Sequence, residues 1–159
     1  MYAIVLTLHS LLRWLVLILA VAAVARAFSG WLGKKEWAAL DNRLGLFFSA
    51  SMDLQLLLGL ILYILLSPIT KSALEDWGAA MSNAVPRFWA IEHLFSMVIA
   101  VILAHVGRAL SKRATPDTRK HRRAAIWFGL ATLAILIAIP WPFLSYGRPL
   151  IRLVSLVWP

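Results

Sequence analysis

Four apolar runs decide what this chain can fold into. They cover about residues 2–26, 44–66, 86–110 and 124–139. A hydrocarbon core of about 30 Å is crossed by roughly 20 helical residues. Within lipid every backbone N–H and C=O must be paired internally, so such a run is read as a helix. The composition agrees: 62% of the 159 residues are hydrophobic and 14% charged, against about 45–50% and about 25% in soluble domains. The boundaries carry their own signals. The second run stops at Ser67-Pro68, the third opens at Pro86, and the fourth ends at Pro140-Trp141-Pro142. Proline suits a helix start, where its missing N–H had no intrahelical partner. The expectation is an all-α integral membrane protein, one domain over 1–159, built as an up-down bundle of four transmembrane helices.

Ala25-Arg26-Ala27 has the small-x-small pattern of a signal-peptide cleavage site. The run before it lacks a charged n-region and is too long for an h-region, so it is read as a retained span. Arg26, Lys34, Lys35 and Arg43 follow the first span, and Arg108, Lys112, Arg113, Arg119, Lys120, Arg122 and Arg123 follow the third. The opposite side has only Lys71, Arg87, Arg148 and Arg152. By the positive-inside rule both basic loops are cytoplasmic and both termini lie outside, on the periplasmic side of a bacterial inner membrane. The formal charge of +9 is thus explained by topology and by attraction to anionic headgroups, without nucleic acid. His121, among the arginines of the second basic loop, is read as solvated. The connection between spans two and three is expected to hold a short interfacial helix around residues 73–81. Residues 143–159, with Arg148 and Arg152 four apart among apolar neighbours, are expected to form a short amphipathic segment or docking strap. Tryptophans near the segment ends fit an interfacial belt.

The chain has no cysteine, which excludes disulfides, thiolate zinc sites, iron–sulfur clusters and covalent haem attachment. Nucleophile–base pairings and phosphate-binding glycine loops are also missing from its pattern. Chemistry is left to the polar residues inside the spans, which are costly there and functional by default. His9 lies about 10 Å along the first span at 1.5 Å per residue, and His93 lies at nearly the same depth on the third. Two imidazoles at one depth on diagonal helices suit bis-histidine ligation of a haem iron. They equally suit a hydrogen-bonded pair, or proton handling. Arg13, one turn below His9, and Asp53 on the second span both fall near mid-membrane, so an Arg13–Asp53 ion pair is expected, with a haem propionate as the other partner Arg13 could reach. Met97, one turn from His93, and Met52 are further axial candidates. Ser96, Ala100 and Ala104 leave either close helix packing or room for a flat macrocycle. Glu92 points about 100° away from His93, and His105 has no histidine at its own depth. A transport relay through Arg13, Asp53, Glu92 and His105 is disfavoured because the runs lack interior breaks.

"LHSLLRWLVL", "LQLLLGLILY", "FWAIEHLFSMVIA" and "IPWPF" resemble small four-helix bacterial membrane proteins, common in Bacteroidetes and relatives, that are labelled "cytochrome b". The resemblance covers roughly residues 5–145, with His9, Arg13, Gln55, Gly59, Glu92, His93 and Pro140 as its punctuation. It implies haem b and electron transfer; on that reading His9 and His93 hold the iron near the periplasmic side and electrons pass between a quinol pool and a periplasmic or membrane partner. A histidine is common in those proteins where this chain has Asp53, so the second span is not expected to supply an iron ligand. The alternative is a haem-free accessory or assembly subunit that packs against other membrane subunits of a respiratory or photosynthetic complex.

Overall fold

The computed structural model describes residues 1–151. Its helices are α1 (Tyr2–Leu32), α2 (Ala39–Leu66), α3 (Pro68–Glu75), α4 (Trp77–Ser82), α5 (Ala84–Arg113) and α6 (Asp117–Ala138). α1, α2, α5 and α6 are long and apolar enough to cross a membrane, and the chain is a multi-pass membrane protein with an all-helical bundle. α1 and α5 each pack against both α2 and α6. They therefore sit diagonally, as the up-down order requires.

All four spans run beyond their hydropathy limits at one end. α1 continues six residues past Arg26, α2 begins before Leu44, α5 ends past Leu110 and α6 begins well before Ala124. The reason is local pairing at this basic end. Arg26 Nε donates to Asp41 Oδ1 at 2.8 Å, and Asp41 Oδ2 accepts the Ala38 N–H at 2.7 Å. One buried carboxylate thus ties α1 to α2 and starts α2 by satisfying an orphan N–H, as a first-turn acid can. At the start of α6, Asp117 accepts from Trp37 N at 2.9 Å, which ties α6 to the α1–α2 connection, and from Lys120 Nζ at 2.7 Å within its own first turn.

His121 is not solvated. It is fully buried, packs its ring 4.8 Å from that of Trp37, and donates from Nε2 to Glu36 O at 3.3 Å. Gly30 leaves it room, since a Cβ there would stand 2.2 Å from the imidazole. His121 heads the inward stripe of α6, followed by Ala124, Ala125, Phe128, Ala131 and Ile135, the spacing of one helix face.

Small residues bring α5 against α6. Ala100 and Ala104 are fully buried in the cluster that holds Phe128 and Ala131. A Cβ at Gly107 would lie 2.7 Å from Trp127 Cβ. That stripe serves close helix approach.

At the other end the expected single helix over 73–81 is two. Ser67 Oγ accepts from Thr70 N and caps α3, while Asp76 Oδ1 accepts from Ala79 N and caps α4. Asp76 interrupts the run because a capping side chain needs a non-helical backbone, here φ −129°, ψ 82°. The final turn of α2 (Leu62–Leu66) and the second turn of α5 (Phe88–Glu92) are widened into π-turns. Tyr63 Oη donates to Ala90 O at 2.8 Å and joins them. After α6 the chain turns through 139–151 without a helix. Residues 152–159, where much of the expected amphipathic tail falls, lie outside the described residues.

Candidate functional site

The two π-turns border a cavity of about 150 Å³ between the diagonal helices. π-turns widen a helix by one residue and are frequent at functional sites. Met52, Gln55, Gly59 and Tyr63 bring α2 into the wall, at the three- and four-residue steps of one helix face. His9 and Arg13 come from α1, and Trp89, His93 and Met97 from α5. Ile135 and Ile139 close the α6 side, and Arg148 and Pro149 the mouth.

His9 and His93 meet as the depth arithmetic predicts, with ring centroids 6.4 Å apart and planes at 68°. His93 lies 2.9 Å by Nδ1 from Ala138 O. Only a protonated Nδ1 can donate to a carbonyl, so this bond leaves Nε2 as the lone-pair nitrogen. Phe88 and Trp89 pack on the same ring at 5.6 and 5.4 Å. On the His9 side, Gln55 Nε2 donates to His9 O at 2.9 Å. A Cβ at Gly59 would stand 3.2 Å from His9 Cε1, so the glycine lets that ring sit close against α2. His9 Nδ1, Gln55 Oε1, Arg13 Nε and Trp89 Nε1 are buried without a hydrogen-bond partner among the described residues. Buried polar atoms in that state cost about 1–3 kcal/mol each. The four border one cavity, where water or a ligand could satisfy them.

The ring spacing of His9 and His93 is of the size that two imidazoles on either side of one metal ion would have. Two metal–nitrogen bonds of about 2 Å each, with the half-widths of two imidazoles, span roughly 6 Å. A ring nitrogen tied back to a backbone carbonyl is the usual outer support of a metal-bound histidine. Met52 and Met97 both line the cavity as the sequence suggests, whereas Ser96 does not. No group of three or more metal-ligating side chains occurs among the described residues.

The Arg13–Asp53 pair does not form. Arg13 Nη2 donates to Leu150 O, and Trp14 Nε1 donates to the same carbonyl at 3.0 Å. Asp53 instead binds His105, Oδ1 to Nε2, at 2.7 Å. Depth was matched but azimuth was not. Gln55 faces α1, and Asp53, two residues earlier, is turned about 200° away. The same bond supplies His105 with the partner that a search for histidines alone misses. Glu92 is held by Arg87 at 2.7 Å and lies outside the cavity lining.

The site is thus a largely apolar cavity between four membrane-spanning helices, with His9, Arg13, Gln55 and His93 among its polar groups. Comparison with family models, curated proteins and solved structures finds no match.

Proposed function

We propose that the protein is an accessory or assembly subunit of a larger membrane complex, respiratory or photosynthetic, and that this role needs no haem of its own. The observation that carries the reading is the Asp53–His105 pair. It sits in the middle of α2 and within the apolar stretch of α5, yet Asp53 is 53% and His105 46% exposed. Ionisable residues at such depth almost always face protein or a water-filled cavity, because lipid penalises a charge such as that of Asp53 by about 2.5–3.5 kcal/mol on insertion scales. Protein therefore covers this face in the membrane. The distribution of lysine and arginine supports a bacterial inner-membrane placement with both basic loops cytoplasmic and both termini periplasmic. The test is native electrophoresis after extraction in a gentle detergent. Co-migration with unlike, larger subunits is the expected result. A chain that migrates alone overturns the reading.

A second reading is favoured by the His9–His93 geometry: a cytochrome-b-like subunit that exchanges electrons with a quinone pool. His9 and His93 would hold one haem b, which supplies one-electron redox chemistry when bound. Ala138 O fixes the ring orientation and tautomer of His93, Gly59 lets His9 sit close against α2, and Met52 and Met97 keep the surroundings apolar. Dithionite-reduced minus oxidised absorption of the purified protein decides it. A b-type α-band that vanishes in both His9→Ala and His93→Ala supports the reading. A flat spectrum from folded protein sinks it and leaves the subunit role standing.

A further inference from the structure

The Asp53–His105 face has a property that ordinary lipid-facing surfaces lack. It carries one acid and one base, side by side on neighbouring helices and at the same level. The contact between them uses one oxygen of Asp53 and one nitrogen of His105. Asp53 Oδ2 and His105 Nδ1 make no hydrogen bond among the described residues. Each residue therefore keeps one polar atom turned to the outside, an acceptor on one and a ring nitrogen on the other.

Small residues flank the pair. Ala50 precedes Asp53 by three residues and Ala109 follows His105 by four, and both are exposed. α2 starts at the basic end and α5 finishes there, so both alanines lie one turn from the pair on the same side. Exposed small residues let another helix approach closely in lipid. Leu54 and Ile102, also exposed, complete the patch with ordinary apolar contact.

A two-fold axis along the membrane normal keeps every residue at its own depth. It sets the acid of one copy opposite the base of the other, and the reverse, so a patch with one of each at one level is complementary to itself. We propose that a second copy of this chain docks on this face. Asp53 and His105 of the two copies then form a closed, four-member polar cluster between their α2 and α5 helices. The inference rests on the reading that protein, not lipid, covers the pair, and it names that protein.

The absence of cysteine makes the test direct, because any introduced thiol is the sole one. Ala109→Cys and Ala50→Cys proteins are oxidised in native membranes, separately and co-expressed. Ile18→Cys, exposed on the diagonal helix α1, is the control. A disulfide forms only where Cα atoms come within about 7 Å, so a band at twice the 17.8 kDa chain mass from the face cysteines, absent from the control, is the expected result. Asp53→Asn in the co-expressed Ala50→Cys and Ala109→Cys proteins, whose thiols the two-fold sets opposite each other, should lower the adduct roughly five- to tenfold. The exchange Asp53→His with His105→Asp should restore it, because the swapped face is again self-complementary. Recovery of Asp53→Asn protein in the membrane fraction at the parental level checks that it folds. Equal adduct at Ile18→Cys, or no loss on Asp53→Asn with no recovery on exchange, overturns the proposal. An adduct of unlike mass overturns self-pairing but keeps the subunit reading. No adduct from either face cysteine, alone or co-expressed, overturns self-pairing and leaves the subunit reading to the native electrophoresis.

Discussion

Gly30→Ala is the sharpest perturbation of the basic end. In an open helix the change gains up to about 1 kcal/mol of helix propensity. At Gly30 the new Cβ would stand 2.2 Å from His121 Cε1 and Nδ1 and 2.5 Å from its Cγ. The ring cannot swing away, because it is fully buried beside Trp37 and bonded to Glu36 O. Overpacking of this kind costs about 1–3 kcal/mol. Displacing the ring also weakens a hydrogen bond with a net value of about 0.5–1.5 kcal/mol. The balance is a loss of about 1–3 kcal/mol, and at about 2–4 °C per kcal/mol for a chain of this size the midpoint drops by roughly 2–12 °C. The assay is thermal unfolding in detergent followed by tryptophan fluorescence. Two companions make it decisive. Gly129→Ala, where a Cβ meets nothing within 4 Å, should leave the midpoint level or raised. Gly30→Ala in a His121→Ala background should no longer be harmful, because the two positions are coupled through one contact. An equal loss in that background would refute the steric argument.

Asp41→Asn removes the charge that holds Arg26 and weakens the cap on α2, so a loss of about 1–3 kcal/mol is expected in the same assay; an unchanged midpoint would show that the α1–α2 tie is incidental. Lys34→Cys and Ser72→Cys test topology by labelling with a membrane-impermeant maleimide on intact cells: Ser72→Cys should react and Lys34→Cys should not, and the reverse pattern would invert the orientation. Arg13→Leu should expose the 141–151 segment to protease several-fold faster, with a larger effect when combined with Trp14→Phe, since both residues hold Leu150 O. Unchanged cleavage in the double variant would mean that the segment is held elsewhere.

Hydropathy made the four spans legible but misplaced their ends. It registers which residues tolerate lipid, whereas Asp41 and Asp117 extend helices beyond the lipid through hydrogen bonds. The His9–His93 meeting was legible because depth in a bundle follows from counting residues along each helix. Arg13 and Asp53 passed the same count and failed, because pairing also requires facing sides. Gln55 carried the missing information: Met52, Gln55, Gly59 and Tyr63 form one face of α2, and Asp53 is off it. His121 was misread from its charged neighbours alone. The apolar residues following it at helical spacing were the signal that it belongs to the core. The π-turns beside the cavity had no sequence signature, and they depend on contacts such as Tyr63 to Ala90 that join distant segments.

The clasp on Leu150 has a consequence for how the protein is made. Arg13 enters the membrane with the first span, and its carbonyl partner is synthesised some 137 residues later. A nascent chain can insert all four spans and still carry an uncapped guanidinium beside an open cavity. Completion of the mouth is therefore a late event in biogenesis. Until then Arg13 and Trp14 lack the carbonyl that both hold in the finished protein, so the two ends of the chain are joined last.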